Sequence, residues 1–500
     1  MARGDHRRGA IERLALAVAA ALLAGIAGCG SDGGGDGEQT ESAAPSGRDD
    51  GPVAAERPNI VVVLTDDQDV ASLRAMPTVR RRIGRRGVRF ANAFTAVPLC
   101  CPSRASLLTG RYPHNHGVIS NLPPRGGYPR LDHERTLATW LADAGYRTGW
   151  IGKHLNGYGN PAVGTDPLEI PPGWDVWRVP VDHTELQMYG YRLNENGRLR
   201  DYGAEPRDYQ TDVLARKATR FVARSAAVGE PFLLVVSTLA PHRESELTLD
   251  PGAPRNPRPA PRHDGAFAGE ELPLPPSYNE PDVADKPADA VPEAPLGADE
   301  LAAIDTRHRS RLESLLAVDE LVGDLLDELR RSDELERTLV VFTSDQGQQL
   351  GEHRLTSKLQ PYDESLRVPL LIKGPGVPEG EVRRAVTANV DLAPTFAELA
   401  GADPDVELDG TSLVPAIADD DALRDRTVLA RYVARRGFAA VLGERWVYLE
   451  RKGGGTELYD LRRDPHQLDN AVADPAQAAR VERLAARLRE LRRCAGAGCR

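Results

Sequence analysis

Two short runs constrain the fold of this chain more than anything else in it. "NIVVVLTDDQ", from Asn59, and "TLVVFTSDQG", from Thr338, each set mostly β-branched apolar residues before Thr or Ser and then Asp. A strand with one wet face alternates apolar and polar residues. A strand without that alternation is covered on both faces, as in a parallel sheet flanked by helices. "PFLLVVSTLAPH", from Pro231, and "VPLLIKGPGV", from Val368, read as further strands. Between them "HRSRLESLLAVDELVGDLLDELRRS", His308 to Ser332, repeats apolar residues at helical spacing. Strands alternating with helices predict an α/β/α sandwich. Ligands of open α/β sheets gather at the carboxyl ends of the strands, so the acidic tips of the first two runs are expected to meet.

Five hundred residues allow a large domain and a smaller one. The net charge of −11 disfavours a nucleic-acid partner. At the N-terminus a basic stretch precedes "LALAVAAALLAGIAGC", an apolar run too short to span a membrane comfortably. Its ending resembles a bacterial lipobox. Residues 1–28 are therefore expected to be a lipoprotein signal peptide, and 29–57 a flexible Gly/Ser/acid-rich tether. Lipidation at Cys29 would anchor an exported protein to the cell surface or the periplasmic face of the cytoplasmic membrane, with lipid as the only membrane contact. Residues 58–418 form the expected large domain, with a Pro-rich excursion at 243–297, and 419–500 form a smaller unit. Cys494 and Cys499 are expected to close a local disulfide. Among 63 basic residues only six are lysine: Lys153, Lys217, Lys286, Lys358, Lys373 and Lys452. Lys286, in the excursion, is expected to tolerate replacement by arginine.

The chemistry concentrates in "PLCCPSRASLLTGRYPHNHG", from Pro98. Two adjacent cysteines are too strained for a routine structural disulfide. The pattern Cys100-x-Pro102-Ser103-Arg104, followed by "LLTG", resembles the signature of the type I sulfatases. The likeness runs from Pro58 to Asn470 through "GKHLNGYG", "IPPGW", "LAPH", "SLLAVDELV", "TSDQG", "ESLRVPLLIKGPGV", "ANVDLAPTFAELAG" and "LYDLRRDPHQLDN". It is nearest the N-acetylglucosamine-6-sulfatase and extracellular heparan 6-O-endosulfatase branch.

That resemblance implies an alkaline-phosphatase-like α/β/α sandwich with a large mixed sheet, plus a smaller C-terminal α+β subdomain with a short antiparallel sheet. It implies that a formylglycine-generating enzyme converts Cys100 to formylglycine, whose hydrate attacks sulfur. Asp66, Asp67, Asp345, Gln346 and the oxygen at position 100 would hold one Ca²⁺, in keeping with hard oxygen ligands. Family members usually carry Asn or His where Gln346 stands. Arg104 would hold the hydrate and a metal-site carboxylate, Lys153 and Lys358 would grip sulfate, and His242 would protonate the leaving oxygen. His154 and Asn156 are candidates to contact the hydrate, although this chain reads Lys-His-Leu-Asn where many sulfatases read Lys-x-His. His116, with His114, is expected at the pocket mouth, and His353 just behind the site. The implied reaction is hydrolysis of a sulfuric ester on a sugar of the N-acetylglucosamine 6-sulfate type. The rivals are a formylglycine-dependent phosphonate monoester or phosphodiester hydrolase, and a lipoprotein that binds sulfated glycans without turnover.

Overall fold

The acidic-tipped runs lie side by side at the centre of a ten-stranded sheet. The computed structural model describes residues 57–244, 256–288 and 290–500. The signal peptide, Cys29, all of the tether but its last residue, and 245–255 of the excursion lie outside the described residues.

The sheet is built from β1 (Asn59–Thr65), β2 (Val88–Phe94), β3 (Arg147–Gly152), β4 (Val176–Pro180), β5 (Arg192–Glu195), β6 (Leu199–Asp201), β7 (Phe232–Ser237), β8 (Thr338–Ser344), β9 (Leu370–Lys373) and β10 (Glu381–Ala388). Its order is β10-β2-β9-β8-β1-β7-β3-β4-β5-β6. Strands β8, β1, β7, β3 and β4 run parallel, and β9 lies antiparallel between β2 and β8.

Every residue of β1 is buried, and its pleat shows why the run has no polar alternation. Ile60, Val62 and Leu64 pack into a core with Leu107, Leu141 and Phe396. Val61 and Val63 point the other way, into a core with Phe221, Leu321 and Leu325. The helices Cys100–Thr109, Leu137–Asp143 and Leu392–Ala400 thus cover one face, and Gln210–Val228 and Ala298–Arg331 the other. Three layers result, as expected.

After residue 418 the chain makes an antiparallel sheet of β11 (Val428–Tyr432), β12 (Phe438–Leu442), β13 (Trp446–Arg451) and β14 (Thr456–Asp460). Leu484, Leu488 and Leu491 of the Ala478–Leu491 helix share its core, together with Phe94, Val97 and Tyr112 of the larger region. Cys494 and Cys499 form the disulfide.

One expectation fails in the excursion. Lys286 is not a replaceable surface lysine: its side chain is fully buried and donates to Glu280 (2.6 Å) and to the Leu468 carbonyl (3.1 Å). Glu280 also holds His353 Nδ1 at 2.7 Å. The described part of the excursion is therefore pinned to the body by buried charge. No helix among the described residues is long and apolar enough to cross a membrane.

Candidate active site

Register assembles the site. Thr65 at the end of β1 pairs with Ser344 at the end of β8, so Asp66 and Asp67 emerge beside Asp345 and Gln346. On the other side of β1, β7 leads to His242. β3 pairs Gly152 with Ser237 and continues into Lys153, whose N–H donates to the Ser237 carbonyl at 2.9 Å. Asp67 sits at φ 65°, left-handed backbone that asparagine and aspartate tolerate better than most residues.

Cys100 opens the Cys100–Thr109 helix, every residue of which is buried. Its Sγ lies 3.1 Å from Lys358 Nζ, 3.4 Å from Gln346 Nε2 and 3.7 Å from Asp66 Oδ1. One turn on, fully buried Arg104 donates to Asp345 Oδ2 (2.8 Å), Asp66 Oδ2 (3.1 Å), the Lys153 carbonyl (2.7 Å) and Ser237 Oγ (2.7 Å). Lys153 Nζ donates to Asp66 Oδ2, and Lys358 Nζ to Asp67 Oδ1 at 2.6 Å. His242 Nδ1 lies 2.6 Å from the Arg243 carbonyl. A carbonyl only accepts, so Nδ1 carries the proton and Nε2, 3.6 Å from Asp67 Oδ2, holds the lone pair. Cys100, Lys153, His242, Lys358, Asp67 and Asn156 all line a cavity of about 590 Å³.

Three buried carboxyls face three buried cations, and the balance differs at each. Burial pushes Asp66 toward neutrality, but Lys153, His242 and Arg104 outweigh it and hold the carboxyl well below its ordinary range. Burial likewise opposes Lys358 at Asp67, and the lysine's charge, with a further pull from the His242 ring, holds this carboxyl below its ordinary value. At Asp345 burial and the Asp66 charge prevail over Arg104, raising it to about 6. Burial lowers His242 to about 4 against the pull of Asp67. Burial and Asp66 push the Cys100 thiol up, so it is no ready thiolate.

The donors fit a hard cation. Ligand atoms of Asp66, Asp67, Cys100 and His242 all lie within 4.8 Å of one another. Each aspartate spends one oxygen on a lysine and keeps the other, Asp66 Oδ1 and Asp67 Oδ2, toward this group. Gln346 Oε1 is buried without a partner among the described residues while its Nε2 meets Asp67 Oδ1 and Cys100 Sγ, so exchanging the two ends of the amide would turn the orphan oxygen toward a metal in this group. Asp345 stands beside this group, its Oδ1 accepting from the Asp67 N–H at 3.2 Å and its Oδ2 from Arg104.

Comparison with known proteins decides the family. The sequence model described as "Sulfatase" matches residues 58–402, and that of "N-sulphoglucosamine sulphohydrolase, C-terminal" matches 351–494. The chain belongs to the sulfatase family. It is 30% identical over 492 residues to the N-acetylglucosamine-6-sulfatase of Homo sapiens, covering 89% of this chain and 86% of that protein. It is 34% identical over 397 residues to the extracellular sulfatase SULF-1 homolog of Drosophila melanogaster, covering 78% of this chain. The chain spans about a third of that relative's length, and about half of a Caenorhabditis elegans Sulf-1 homolog. Among solved structures, a protein in complex with D-glucosamine-2-N,6-O-disulfate superimposes with a TM-score of 0.72 at 24% identity, covering 87% and 98% of the two chains. The phosphonate monoester hydrolase of Agrobacterium radiobacter does so at 0.63 and 23%, covering 87% and 95%. These two likenesses concern the fold, which is the alkaline-phosphatase-like sandwich of the sulfatases.

Within this sulfatase fold three expected pocket histidines lie elsewhere. His154 is 3% exposed and packs edge-on against Trp150 and Trp177, with ring centroids 4.8 and 5.1 Å away. Past the end of β3, Lys153 lines the cavity and the next side chain sits in the aromatic core. His116 accepts the Val118 N–H at Nδ1 (3.1 Å) and has Ser106 Oγ 3.1 Å from Nε2, while His114 Nε2 meets the Cys494 carbonyl at 3.0 Å. His116 braces the Cys100–Thr109 helix and His114 holds the C-terminal segment at Cys494, and neither lines the cavity. Asn156 does line the cavity, and it touches Cys101 Sγ at 3.3 Å.

Sequence reasoning missed Asn121, Arg243, Glu244 and Arg307 in the cavity wall. Asn121 Oδ1 accepts the Cys101 N–H at 2.9 Å, capping the helix that carries Cys100. Arg243 had one available signal, its place next to His242. Arg307 had none.

Proposed function

We propose that this protein is a sulfuric ester hydrolase that releases sulfate from a sulfated sugar of the N-acetylglucosamine 6-sulfate type. The observation that carries the reading is the convergence on Cys100 Sγ of Lys358, Gln346 and Asp66, in a cavity also lined by Lys153 and His242. Membership of the sulfatase family and the name of the human relative support the same class.

Formylglycine formed from Cys100 would supply, as its hydrate, an oxygen nucleophile and a second hydroxyl through which the aldehyde can reform. One Ca²⁺, held by Asp66, Asp67, Gln346, the oxygen at position 100 and spare lone pairs of Asp345, would supply charge to acidify that oxygen and polarise the sulfate. The remaining roles belong to the chain. Lys153 and Lys358 hold sulfate oxygens with compact, rotatable ammonium groups. Arg104 keeps Asp66 and Asp345 oriented and ties them to the tips of β3 and β7. His242, fixed by its Nδ1–H to the Arg243 carbonyl, serves the leaving oxygen through Nε2. The anionic substrate entering beside that ring offsets the burial that keeps it neutral, so that it can carry the proton it delivers.

The protein is further read as exported and anchored by lipid at Cys29, with a sulfated carbohydrate and a formylglycine-generating enzyme as partners. Its 58–418 region carries the catalytic machinery, and 419–500 is a supporting subdomain. The test is a sulfate-release screen on protein co-expressed with a formylglycine-generating enzyme, over sulfated sugars, aryl sulfates and phosphonates. Mass spectrometry of the Cys100 peptide should show a loss of about 18 Da, with Cys101 still a thiol. Release of phosphonate but not sulfate would move the protein to the phosphonate hydrolases. Binding of sulfated sugars without turnover by modified protein would make it a glycan-binding lipoprotein.

A further inference from the structure

We propose that Arg243 and Arg307 form a subsite for a second anionic group of the substrate, a sulfate or carboxylate distinct from the ester that is cleaved. The proposal rests on the sulfate-ester reading and narrows its substrate class to sugars bearing at least two negative charges. Both arginines line the cavity that holds Cys100, Lys153 and Lys358. Arg243 follows His242 and is exposed. Arg307 lies on the Ala298–Arg331 helix, one turn before Arg311.

Arg307 and Arg311, on the same helix, differ in what already occupies them. Arg311 is buried and spent, donating to the Asp67 carbonyl (2.7 Å), Asp69 Oδ2 (2.8 Å) and Gln348 Oε1 (2.8 Å). Arg307 is not. Among the described residues its guanidinium makes one hydrogen bond, from Nη1 to the Thr356 carbonyl at 3.2 Å, and no carboxylate pairs with it. Its Nε is buried with no acceptor among the described residues. Burial, Arg243 and Arg311 all press its charge down. Glu244, the acid in this wall, is already engaged by the Met188 N–H at 2.8 Å and Arg258 Nε at 2.9 Å.

The sulfate-gripping lysines are in a different state, each already paired with a carboxylate. A sulfate monoester of an otherwise neutral sugar brings one negative charge, which those lysines receive. It would leave Arg307 without a counter-charge among the described residues. An added oxyanion meets an unsatisfied donor fork whose geometry suits sulfate and carboxylate alike. Arg307 also steadies Thr356, two residues before Lys358, so a purely positioning role must be separable in the test.

The measurement is kcat/KM on three substrates. These are N-acetylglucosamine 6-sulfate, glucosamine 2-N,6-O-disulfate, and a disaccharide of 6-sulfated N-acetylglucosamine with a uronic acid. The native protein should prefer one of the last two over the first by at least about tenfold, as expected for charged hydrogen bonds. Which one it prefers identifies the second group as sulfate or carboxylate. Arg307→Gln and Arg243→Gln should each erase most of that preference, and Arg307→Lys should restore part of it. A native protein that cleaves all three alike overturns the subsite and leaves the sulfatase reading standing. Variants that slow all three substrates by the same factor also overturn it, because a positioning role cannot change preference. A native protein that cleaves none defeats the sulfatase reading instead. The subsite is then decided by calorimetry: the disulfate should bind the native protein about tenfold more tightly than the monosulfate and lose that margin in Arg307→Gln, and equal affinities would reject it.

Discussion

His242 shows how one residue's surroundings set its duty. Its Nδ1 proton is committed to the Arg243 carbonyl, so only Nε2 is free to exchange protons in the cavity. If Nε2 protonates the leaving oxygen, its loss must hurt most when that oxygen is strongly basic. A sugar alkoxide needs the proton, whereas a nitrophenolate departs nearly unaided. His242→Ala is expected to lose about 10²–10⁴-fold in kcat on a sugar sulfate and far less on nitrophenyl sulfate. Cys100→Ala should abolish both equally. Saturating substrate keeps altered binding from passing as altered chemistry. Comparable losses on the two substrates would assign His242 to holding the sulfate or the metal.

At the scale of elements, strand tips place the chemistry, and close backbone contact places the tips. Gly152, at φ 109°, ends β3 so close to β7 that a Cβ would stand 1.9 Å from the Ser237 carbonyl oxygen. Gly152→Ala must push the two strands apart just where Lys153 and Arg104 take their backbone bonds. It is expected to cost at least about 2 kcal/mol in urea unfolding and to depress kcat/KM. Gly164→Ala, also left-handed but with nothing within 4 Å, should cost only the conformational strain of about 1 kcal/mol. Equal costs would mean that the strand contact is not what fixes Gly152.

The excursion yields the matching case for buried charge. Lys286→Ala strands Glu280 beside His353 and is expected to cost about 3–5 kcal/mol. Lys286→Arg should destabilise as well, because a bulkier guanidinium must enter a fully buried ammonium site. A melting temperature unchanged in Lys286→Arg would show that the pair does not hold the excursion down.

These elements also show what the sequence could and could not reveal. The unalternated runs announced β1 and β8, and their acidic tips meet because parallel register leaves little other choice. The Cys100 motif is local, so it was legible. The direction of His154 was not, since it depends on the aromatic core that fills the far side of β3. The Lys286–Glu280–His353 cluster and Arg307 were equally hidden. Buried ion pairs and cavity walls are made by distant segments and leave no periodic trace in any one of them.

For the whole molecule, the site is a knot of buried charge whose balance depends on pH and on the proposed Ca²⁺. Asp66 and Asp67 have lowered pKa values in the folded protein, so their stabilisation is present above about pH 4 and disappears in acid. Asp345 behaves oppositely. Folded, it titrates near 6 rather than 3.8. Between about pH 4 and 6 folded Asp345 therefore keeps a proton that the unfolded chain has lost, and its own contribution to stability falls as pH rises through that window, while His242, lowered to about 4, contributes in the opposite sense. The full cost above pH 6 is on the order of 3 kcal/mol. A divalent cation held by these carboxylates would offset the repulsion between Asp345 and Asp66, and it would compete with the proton that otherwise does so. Added Ca²⁺ should accordingly raise the melting temperature more at pH 7 than at pH 5. In Asp345→Asn, where that proton is absent, the gain should lose most of its pH dependence while the fold persists. The comparison needs paired melts in chelator and in Ca²⁺ at both pH values. A gain in the native protein that ignores pH would take Asp345 out of the metal's electrostatic reach, and no gain at either pH would reject Ca²⁺ as the ion this cage holds.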